Sequence, residues 1–495
     1  MKNVFKTFMI ILVSLIVVPF TVNAATTTYE DLPNGSYVIG KHIFTREGGA
    51  LTVKKIMLAS RTIESENIDD MKIIYKDIMG NLKEVSAGKD ADTNQYPDAN
   101  LELTDIVNYE YYDLVKVIYT DGVIASNPKL GNLVPIKHNG EEWVYADVYE
   151  EWYNYSDTKD EWANAVVLSS GVTKEVGDTI SEDEIDLWFV WLPRYEYKLP
   201  EESIGTTGTP NAIDINFISS SVTTPSEGYS FHPGFAWDSD WSDGISEWKD
   251  GIWIGKFESA SNEPTTSSVQ KVQIKANVEA WRPGNVYNMY TSSKNLVDDY
   301  DLVSLDSHMT RYTEWTAISY FTNSIHGRCI NSTNCVELSS NSTNPFITGE
   351  GDYIQNIGQS TTGNLTGIYD LNGGYSEMVM GYYKETDDFS GFENMPIDNK
   401  YTDIFTLKNP FQGRYANIET INGITLMNGV YGELLSNLES EKSWYNDYAN
   451  SVNSSMPWFN LGGEALSNTE RGIFASLIRH TNAGIPYTGF RVALS

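Results

Sequence analysis

The sequence predicts an α+β fold, in which a C-terminal domain with a mixed or antiparallel sheet and two helices follows a β-rich N-terminal domain. Three observations indicate this fold class. Residues 36–120 alternate β-branched and aromatic side chains with polar ones between turn signals. Apolar residues near 286–290 and 309–318 recur at helical spacing. The final residues, 490–495, alternate again with the period of a strand.

The N terminus has the form of a secretory signal peptide over residues 1–24. Two lysines precede an apolar run at residues 8–20, and Val22-Asn23-Ala24 offers small residues for cleavage. The run is short for a membrane-spanning helix and contains Pro19, although a retained N-terminal anchor stays open as an alternative. We therefore expect a secreted or cell-surface protein with no membrane-spanning segment after signal cleavage.

Length and charge narrow the possible functions. At 495 residues the chain is longer than a single hydrophobic core usually accommodates, so two or three domains are expected. Its aromatic content of 13% is ample for packed cores and argues against disorder. The formal net charge of −33 repels phosphate backbones, so we expect no nucleic-acid partner. Such a surface can attract calcium or cationic partners.

The β-rich domain is predicted at residues 26–135, with a sandwich as the default arrangement. Its predicted strands are Ser36–Phe44, Leu51–Ala59, Met71–Tyr75 and Val115–Thr120. Gly48-Gly49 and Asp121-Gly122 are typical of hairpin turns. Residues 136–186 are acidic and aromatic. We interpret them as a connector whose tryptophans take part in packing.

The predicted elements of the C-terminal domain begin with Leu187–Leu192, which is apolar on both faces and predicts a buried strand. A first helix is predicted with Pro283 in its first turn and an inner face of Val286, Met289 and Tyr290. A second helix is predicted to begin at Asp306 or Ser307, which would cap it. Its apolar positions are Met309, Tyr312, Trp315 and Ile318.

The last residues predict a half-buried closing strand. The apolar positions are Phe490, Val492 and Leu494, and those between them are Arg491, Ala493 and Ser495. Because chain ends fray unless they are held, we expect this strand to be locked into a sheet and to complete the fold.

Cys329 and Cys335 are the two cysteines of the chain. In an exported protein such a close pair predicts a disulfide, here closing residues 330–334. A redox or metal pair is the alternative, but the spacing is not Cys-x-x-Cys and there is no second pair.

Three segments resemble one known family when they are taken together. They are Gly367-Ile368-Tyr369-Asp370-Leu371-Asn372-Gly373-Gly374-Tyr375-Ser376-Glu377 within residues 362–381, then Met456-Pro457-Trp458-Phe459-Asn460-Leu461-Gly462-Gly463, and finally Gly489-Phe490-Arg491. In this order they are similar to the formylglycine-generating-enzyme-like branch of the C-type lectin fold. Trp253–Glu258 looks like the opening strand of that family, and Thr313–Ala317 looks like its Thr-Glu-Ala-Glu-Trp helix.

The resemblance covers about residues 187–495 and implies a C-type-lectin-like domain with an insertion at about 384–455. The enzymes of this family hold copper with two cysteines that follow the Gly-Gly turn. No cysteine follows Cys335 here, and Leu461 and Ser376 replace a family Arg and Trp. We therefore expect no copper and no catalysis.

The resemblance also implies a calcium loop, because metal-binding loops of the family fall at this place. Its oxygen ligands would be Asn364, Asp370, Asn372 and Glu377. Asp370 and Asn372 could instead stabilise a tight turn in which Gly373 and Gly374 take positive φ. Both interpretations stay open at this point. The histidines of the chain show no metal-ligand spacing, and no nucleophile elbow or phosphate loop occurs.

Several proteins of this branch, including the variable proteins of diversity-generating retroelements, bind ligands on the face between the Gly-Gly turn and the closing strand. The residues that correspond here are Trp458, Phe459, Asn460, Arg471, Arg479, His480, Asn482 and Tyr487. Rings with amide, imidazole or guanidinium groups suit protein or carbohydrate recognition. The alternative is that the apolar members are ordinary strand residues.

Together these observations predict an exported or cell-surface protein that binds a protein or carbohydrate ligand without catalysis, with adhesion as one role. A divergent oxidase on the same scaffold and a structural cell-envelope protein are the alternatives.

Overall fold

The structure is a computed structural model of the chain. It describes the strands of residues 35–119 and then residues 128–495, apart from 149–151, 156–160, 205, 219, 221, 238–246, 283–284, 341–343, 345, 384–398, 406–416, 422–423, 429–441, 451, 453–454, 464–471 and 480–487. The predicted signal peptide lies outside the described residues. The chain forms two compact units, one of residues 1–124 with 147–152 and one of residues 125–146 with 153–495.

The described part of the N-terminal unit consists of two antiparallel sheets. One has the order β1-β2-β3, from Gly35–Ile39, His42–Glu47 and Ala50–Lys55. The other has the order β5-β4-β6, with β4 Met71–Lys76, β5 Leu82–Ser86 and β6 Leu114–Tyr119. The segment predicted as one strand at 36–44 is a hairpin in which Ile39 pairs with His42. Glu47 pairs with Ala50, so β2 and β3 are antiparallel neighbours, and both predicted turns, at 48–49 and 121–122, lie outside the described residues.

The larger unit holds the remaining elements. Its strands are β7 Val134–His138, β8 Trp143–Tyr145, β9 Asn164–Leu168, β10 Ile185–Pro193, β11 Tyr195–Lys198, β12 Asp214–Phe217, β13 Ser230–Phe231, β14 Gly251–Gly255, β15 Ser307–Met309, β16 Cys329–Asn331, β17 Asn334–Cys335, β18 Ser376–Tyr383, β19 Asp403–Phe405, β20 Asn417–Ile421, β21 Ile424–Asn428, β22 Trp458–Leu461, β23 Ser476–Arg479, β24 Thr488–Phe490 and β25 Val492–Leu494. Its helices are α1 Val286–Asp299 and α2 Tyr312–Thr322. The described chain is therefore an α+β fold that is largely β.

A seven-stranded antiparallel sheet has the order β15-β25-β14-β10-β9-β7-β8. Most of β7 and all of β8 and β9 come from residues 136–186, so this region is part of the sheet and the prediction of a connector was wrong. These strands of three to five residues are too short for their alternation to stand out in the sequence. The tryptophans do pack as expected, since Trp162 contacts Phe321 edge to face at 4.4 Å.

Strand β10 confirms the predicted buried strand. Its residues lack alternation because both faces are covered. Trp188 packs on one face against Trp143, with ring centroids 5.0 Å apart. Trp191 points the other way and packs against Trp253 at 5.3 Å. The strand therefore forms the centre of the core of this unit.

The closing strand is confirmed as a member of this sheet. In β25, Leu494 pairs with Trp253 on one side and with Ser307 on the other. The strand is buried on both faces, however, and not half-buried as the alternation predicts. Arg491 is 0% exposed because a buried carboxylate from another strand neutralises it.

Both predicted helices are present, but both begin later than predicted. Helix α1 begins at Val286, so Pro283 is not in its first turn. Asn285 caps α1 by accepting a hydrogen bond from the Asn288 N–H at 2.9 Å. Ser307 does not cap a helix, because it belongs to β15 and pairs with the closing strand. Helix α2 follows Arg311 instead, and the Glu314 carboxylate accepts from the Arg311 N–H at 3.0 Å. All of α2 is buried.

A second sheet has the order β19-β18-β22-β23, with β24 also paired to β18. It is a mixed sheet, because β19 and β24 run parallel to β18 and β22 runs antiparallel. All eight residues of β18 are buried. The predicted insertion contributes to this body, since it supplies β19 and the fully buried Trp444.

Smaller sheets complete the described part. β11 lies between β12 and β13, and β20 pairs with β21. β16 and β17 form a hairpin in which Cys329 and Cys335 are joined, which confirms the predicted disulfide. Among the described residues, no helix combines the length and apolar character needed to cross a membrane.

Candidate functional site

Three of the predicted ligand-binding residues support the second sheet from inside. Trp458, Phe459 and Asn460 lie on β22 and are 0% exposed. The Trp458 ring stacks on Tyr382 at 5.2 Å, and Phe459 packs on Tyr312 at 4.5 Å. The Asn460 side-chain amide donates a hydrogen bond to the Ser376 hydroxyl at 2.8 Å. These three side chains are therefore covered by protein and do not face a ligand in this structure.

Arg479 is the predicted binding residue that the structure places near the surface. It ends β23 opposite Trp458 and is half-buried, with Nη1 donating to the carbonyl of Ile478 at 3.3 Å. Arg471, His480, Asn482 and Tyr487 lie outside the described residues. A recognition role for Arg479 and for these four residues stays a prediction.

The described ends of the predicted binding segments are held firmly. The Gly463 N–H donates to the carbonyl of Leu371 at 3.2 Å, where segment 464–471 leaves β22. The segment rejoins at Gly472, whose N–H donates to Asp447 at 2.6 Å. The Phe474 N–H donates to the same carboxylate at 3.0 Å. A packed sheet therefore carries both ends of this segment.

Close packing explains why the first residue of the Gly-Gly turn, Gly462, is a glycine. A Cβ on Gly462 would lie 2.7 Å from the carbonyl oxygen of Leu371 and 2.8 Å from the ring of Trp315. Helix α2 and the turn after Tyr369 therefore touch this backbone directly. Three of the sequence segments that carry the family resemblance meet at this point.

Two carboxyl groups lie next to Gly472. A Cβ on Gly472 would lie 2.6 Å from Glu337 Oε1 and 2.8 Å from Asp447 Oδ2, so the two groups are neighbours. Burial and then repulsion from Glu337 raise the pKa of Asp447 to about 8. Burial raises the pKa of Glu337 to about 7. The sequence contained no signal for this pair, because its members are far apart in the chain.

The four predicted calcium ligands each have protein partners. Asn364 Oδ1 accepts from the Thr366 N–H at 2.8 Å, and Asp370 accepts from the Gly349 N–H at 2.9 Å. The Asn372 amide donates to a backbone carbonyl at 2.6 Å. Gly373 and Gly374 have φ of 85° and 71°, as the alternative interpretation of a tight turn predicts.

Glu377, the fourth predicted ligand, forms a buried ion pair with Arg491. The Arg491 Nε donates to the two carboxylate oxygens at 3.2 and 3.1 Å, and Nη2 donates to Oε1 at 2.5 Å. The remaining donors bind the carbonyls of Gly255 and Tyr369, at 2.6 and 2.8 Å. One arginine thus joins β14, β18, β25 and the turn at Tyr369.

Within the described part of the chain, no group of three or more His, Cys, Asp or Glu side chains is arranged to hold a metal ion. Calcium binding through the four predicted residues stays a prediction that their present partners do not favour.

A buried charge network that the sequence did not reveal lies at the start of α2. Glu314 accepts hydrogen bonds from Lys249 at 3.0 Å and from His308 Nε2 at 2.9 Å, and it pairs with Arg311. Burial alone would raise the pKa of Glu314, but Arg311, His308 and Lys249 hold it well below its usual value. All four side chains are buried, so the network stabilises the helix start and is closed to a substrate.

Comparison with known proteins places no family name on the chain. No family model and no curated protein matches it. A solved structure named Major Tropism Determinant U1 Variant matches with 10% identity over 93% of this chain and 83% of that chain, at a TM-score of 0.22. This likeness is too low to establish a common fold.

Proposed function

We propose that the protein is an exported or cell-surface binding protein, which recognises a protein or carbohydrate ligand through a C-type-lectin-like domain and performs no catalysis. The observation that carries this proposal is the closing strand. β25 pairs with β14, so the strands that the resemblance assigns as opening and closing strands lie side by side.

The contacts among the motifs support the same proposal. Arg491 of the closing segment binds Glu377 of the second motif and the carbonyl of Gly255 in the opening strand. Gly462 packs on Trp315 of the proposed family helix. The motifs follow one another along the chain in the order that the resemblance implies, and they meet in one core. These motif residues have a structural role there.

The proposed binding surface consists of Arg479 with segments 464–471 and 480–487. Recognition commonly uses segments that connect the strands of a packed sheet, since such segments vary while the sheet stays rigid. The segments contain Arg471, His480, Asn482 and Tyr487, whose side chains combine ring area with directional polar groups.

The cysteines favour binding over oxidation. Both cysteines of the chain form the Cys329–Cys335 disulfide, so neither is a thiolate that could hold copper. A disulfide is also compatible with an extracytoplasmic protein. Together with the predicted signal peptide, it supports the proposed export.

The test is a ligand screen followed by two variants. The chain without residues 1–24 should give a saturable ligand on a glycan or protein array. Arg479→Ala and Tyr487→Ala should each weaken binding at least tenfold and leave the melting temperature unchanged, because neither side chain supports the core in this proposal. Lys198→Ala, which removes an exposed cation from β11, is the matched control. Full affinity in both variants would reject this surface, and the absence of any saturable ligand would reject the binding function.

A further inference from the structure

A lysine lies in the middle of the larger unit with every donor satisfied. Lys256 directly follows β14 and is 0% exposed. Its ammonium group donates hydrogen bonds to Asn164 Oδ1 at 3.0 Å and to the carbonyls of Leu365 and Gly367 at 2.6 and 2.9 Å. Three oxygen acceptors thus match the three N–H donors of an ammonium.

Aromatic rings enclose the same ammonium. Its nitrogen lies 5.1 Å from the ring centroid of Trp188, 5.3 Å from those of Trp143 and Tyr369, and 5.9 Å from that of Tyr353. Ring faces attract cations, and the attraction grows where water is excluded. Among the described residues no carboxylate forms an ion pair with Lys256. The charge is therefore met by neutral oxygens and rings.

Lys256 and Asn164 together hold the loop of residues 364–367 in place. Asn164 accepts from Lys256, and its amide nitrogen donates to the carbonyl of Thr366 at 2.8 Å. The Trp162 N–H donates to the Thr366 hydroxyl at 3.0 Å. The stretch of residues 364–367 is thus fixed to β9 and to Lys256. It begins with Asn364, the first predicted calcium ligand.

The cage fits an ammonium and does not fit calcium. Calcium takes six to eight oxygens, carboxylates and waters among them. Here the site has three oxygens and no carboxylate among the described contacts of Lys256, and four aromatic rings lie within 5.9 Å of its nitrogen. The carbonyls that a metal would need are used by the protein itself.

We propose that Lys256 is the resident cation of this loop: its ammonium stays charged in the folded protein, holds residues 364–367 as a bound ion would, and occupies a cage that binds small alkylammonium ions once the lysine is removed.

The number of acceptors requires the charged form. A neutral amine has two N–H groups and a lone pair, which would face one of the three oxygens. Burial lowers the pKa of Lys256 well below its usual value. The three hydrogen bonds and the four ring faces oppose that effect.

The first test removes the charge and keeps the bulk. Lys256→Met should lower the melting temperature by several degrees, because the carbonyls of Leu365 and Gly367 lose their donor. Lys271→Met is the control, since Lys271 also lies over one ring and donates to one carbonyl but is exposed. Its melting temperature should change little. An unchanged or higher melting temperature for Lys256→Met would overturn the proposal. Such a result is physically possible, because replacing a buried charged group by an apolar one can leave the stability of a protein unchanged.

The second test refills the cage. Lys256→Ala deletes the atoms of a propylammonium ion, so n-propylammonium chloride should raise the melting temperature of this variant in a saturable way. It should leave the wild-type protein unchanged at the same ionic strength. Equal rescue by 1-propanol would show that charge is not required, and rescue by calcium chloride but not by propylammonium would show a metal site. Either result would overturn the proposal.

A third measurement needs no variant. Nitrogen-15 NMR of the wild-type protein at pH 7 should show, besides a signal from the buried Lys249, a protected ammonium with three attached protons that is absent from Lys256→Met. If Lys256→Ala does not fold, this signal decides the question, because a neutral amine at that position would rule out a resident cation.

Discussion

At the scale of single residues, the buried ion pair of Arg491 with Glu377 links several elements of the larger unit. Both side chains are 0% exposed, and the arginine also binds two backbone carbonyls. From the sequence, Arg491 belongs to the polar face of a strand and Glu377 to a metal loop. In the structure they satisfy each other, which explains why both positions can be buried.

The pair predicts a large effect of Glu377→Gln. The substitution leaves the buried arginine without its hydrogen-bonded carboxylate, so we expect a loss of about 3–5 kcal/mol in the free energy of unfolding. Chemical denaturation of the purified protein measures it. The matched control is Glu279→Gln, whose partner Arg282 is partly exposed and whose loss should stay below about 1 kcal/mol. Similar losses in the two variants would contradict the structural role of the buried pair.

At the scale of elements, the end of segment 464–471 is held by a carboxyl group that has an acidic neighbour. Asp447 accepts from two backbone N–H groups, and Glu337 lies beside it. The folded pKa values of about 8 and about 7 are raised above those of unfolded carboxyls, about 4. The folded state thus binds more protons than the unfolded state between about pH 4 and pH 8, and stability falls as pH rises over this interval until both carboxyls are ionised in the folded state.

This arrangement predicts the effect of Glu337→Gln. At pH 8–9 the variant should be more stable than the wild-type protein, because it removes a charge that repels Asp447. At about pH 4, near the pKa of an unfolded carboxyl, the two should differ least, and the difference should grow as pH rises to 8. Thermal unfolding from pH 4 to 9 checks this, with the exposed Glu141→Gln as control. A constant difference between variant and wild-type protein across the range would contradict the shared titration.

At the scale of the whole molecule, the closing strand lies inside the main sheet. β25 lies between β14 and β15, and its residues are buried. Helix α2 packs over β18 of the second sheet, and Arg491 links that sheet to the first. The larger unit thus depends on its last residues.

Deletion of residues 492–495 should therefore abolish cooperative unfolding of the larger unit. The deletion removes a central strand, exposes apolar side chains on two neighbouring strands and leaves their backbone groups unpaired. Calorimetry and near-UV circular dichroism measure the loss. The control is Val303→Ala, because Val303 is 59% exposed and its truncation should cost less than about 0.5 kcal/mol. A truncated chain that melts like the full one would show that the strand is dispensable.

Much of the local structure could be predicted from local pattern. Patterns within short stretches of sequence predicted four features: the apolar run at β10, the two helices, the closing strand and the disulfide. The start of α2 could not be predicted. Residues 307–309 continue the helical spacing but pair with β25, some 180 residues later. Tertiary pairing overrode local periodicity there.

The candidate site was less predictable than the fold. The sequence suggested which side chains have the right chemistry, and it grouped Trp458 with Arg479. Burial separates them, because Trp458 is 0% exposed and Arg479 is half-buried. Exposure depends on what covers a side chain, and those neighbours are far away in the chain.

The amino-acid sequence alone determined the α+β class, the close cysteine pair and the fact that no cysteine follows Cys335, because these follow from composition and from short-range periodicity. Only the tertiary structure decided that residues 136–186 belong to the main sheet, that Arg491 and Glu377 neutralise each other, and that Lys256 fills the cage beside the loop at 364–367. The physical reason is that a buried charge is tolerated only where its partners converge. In Lys256 those partners come from residues 164 and 365–367, which only the fold brings together.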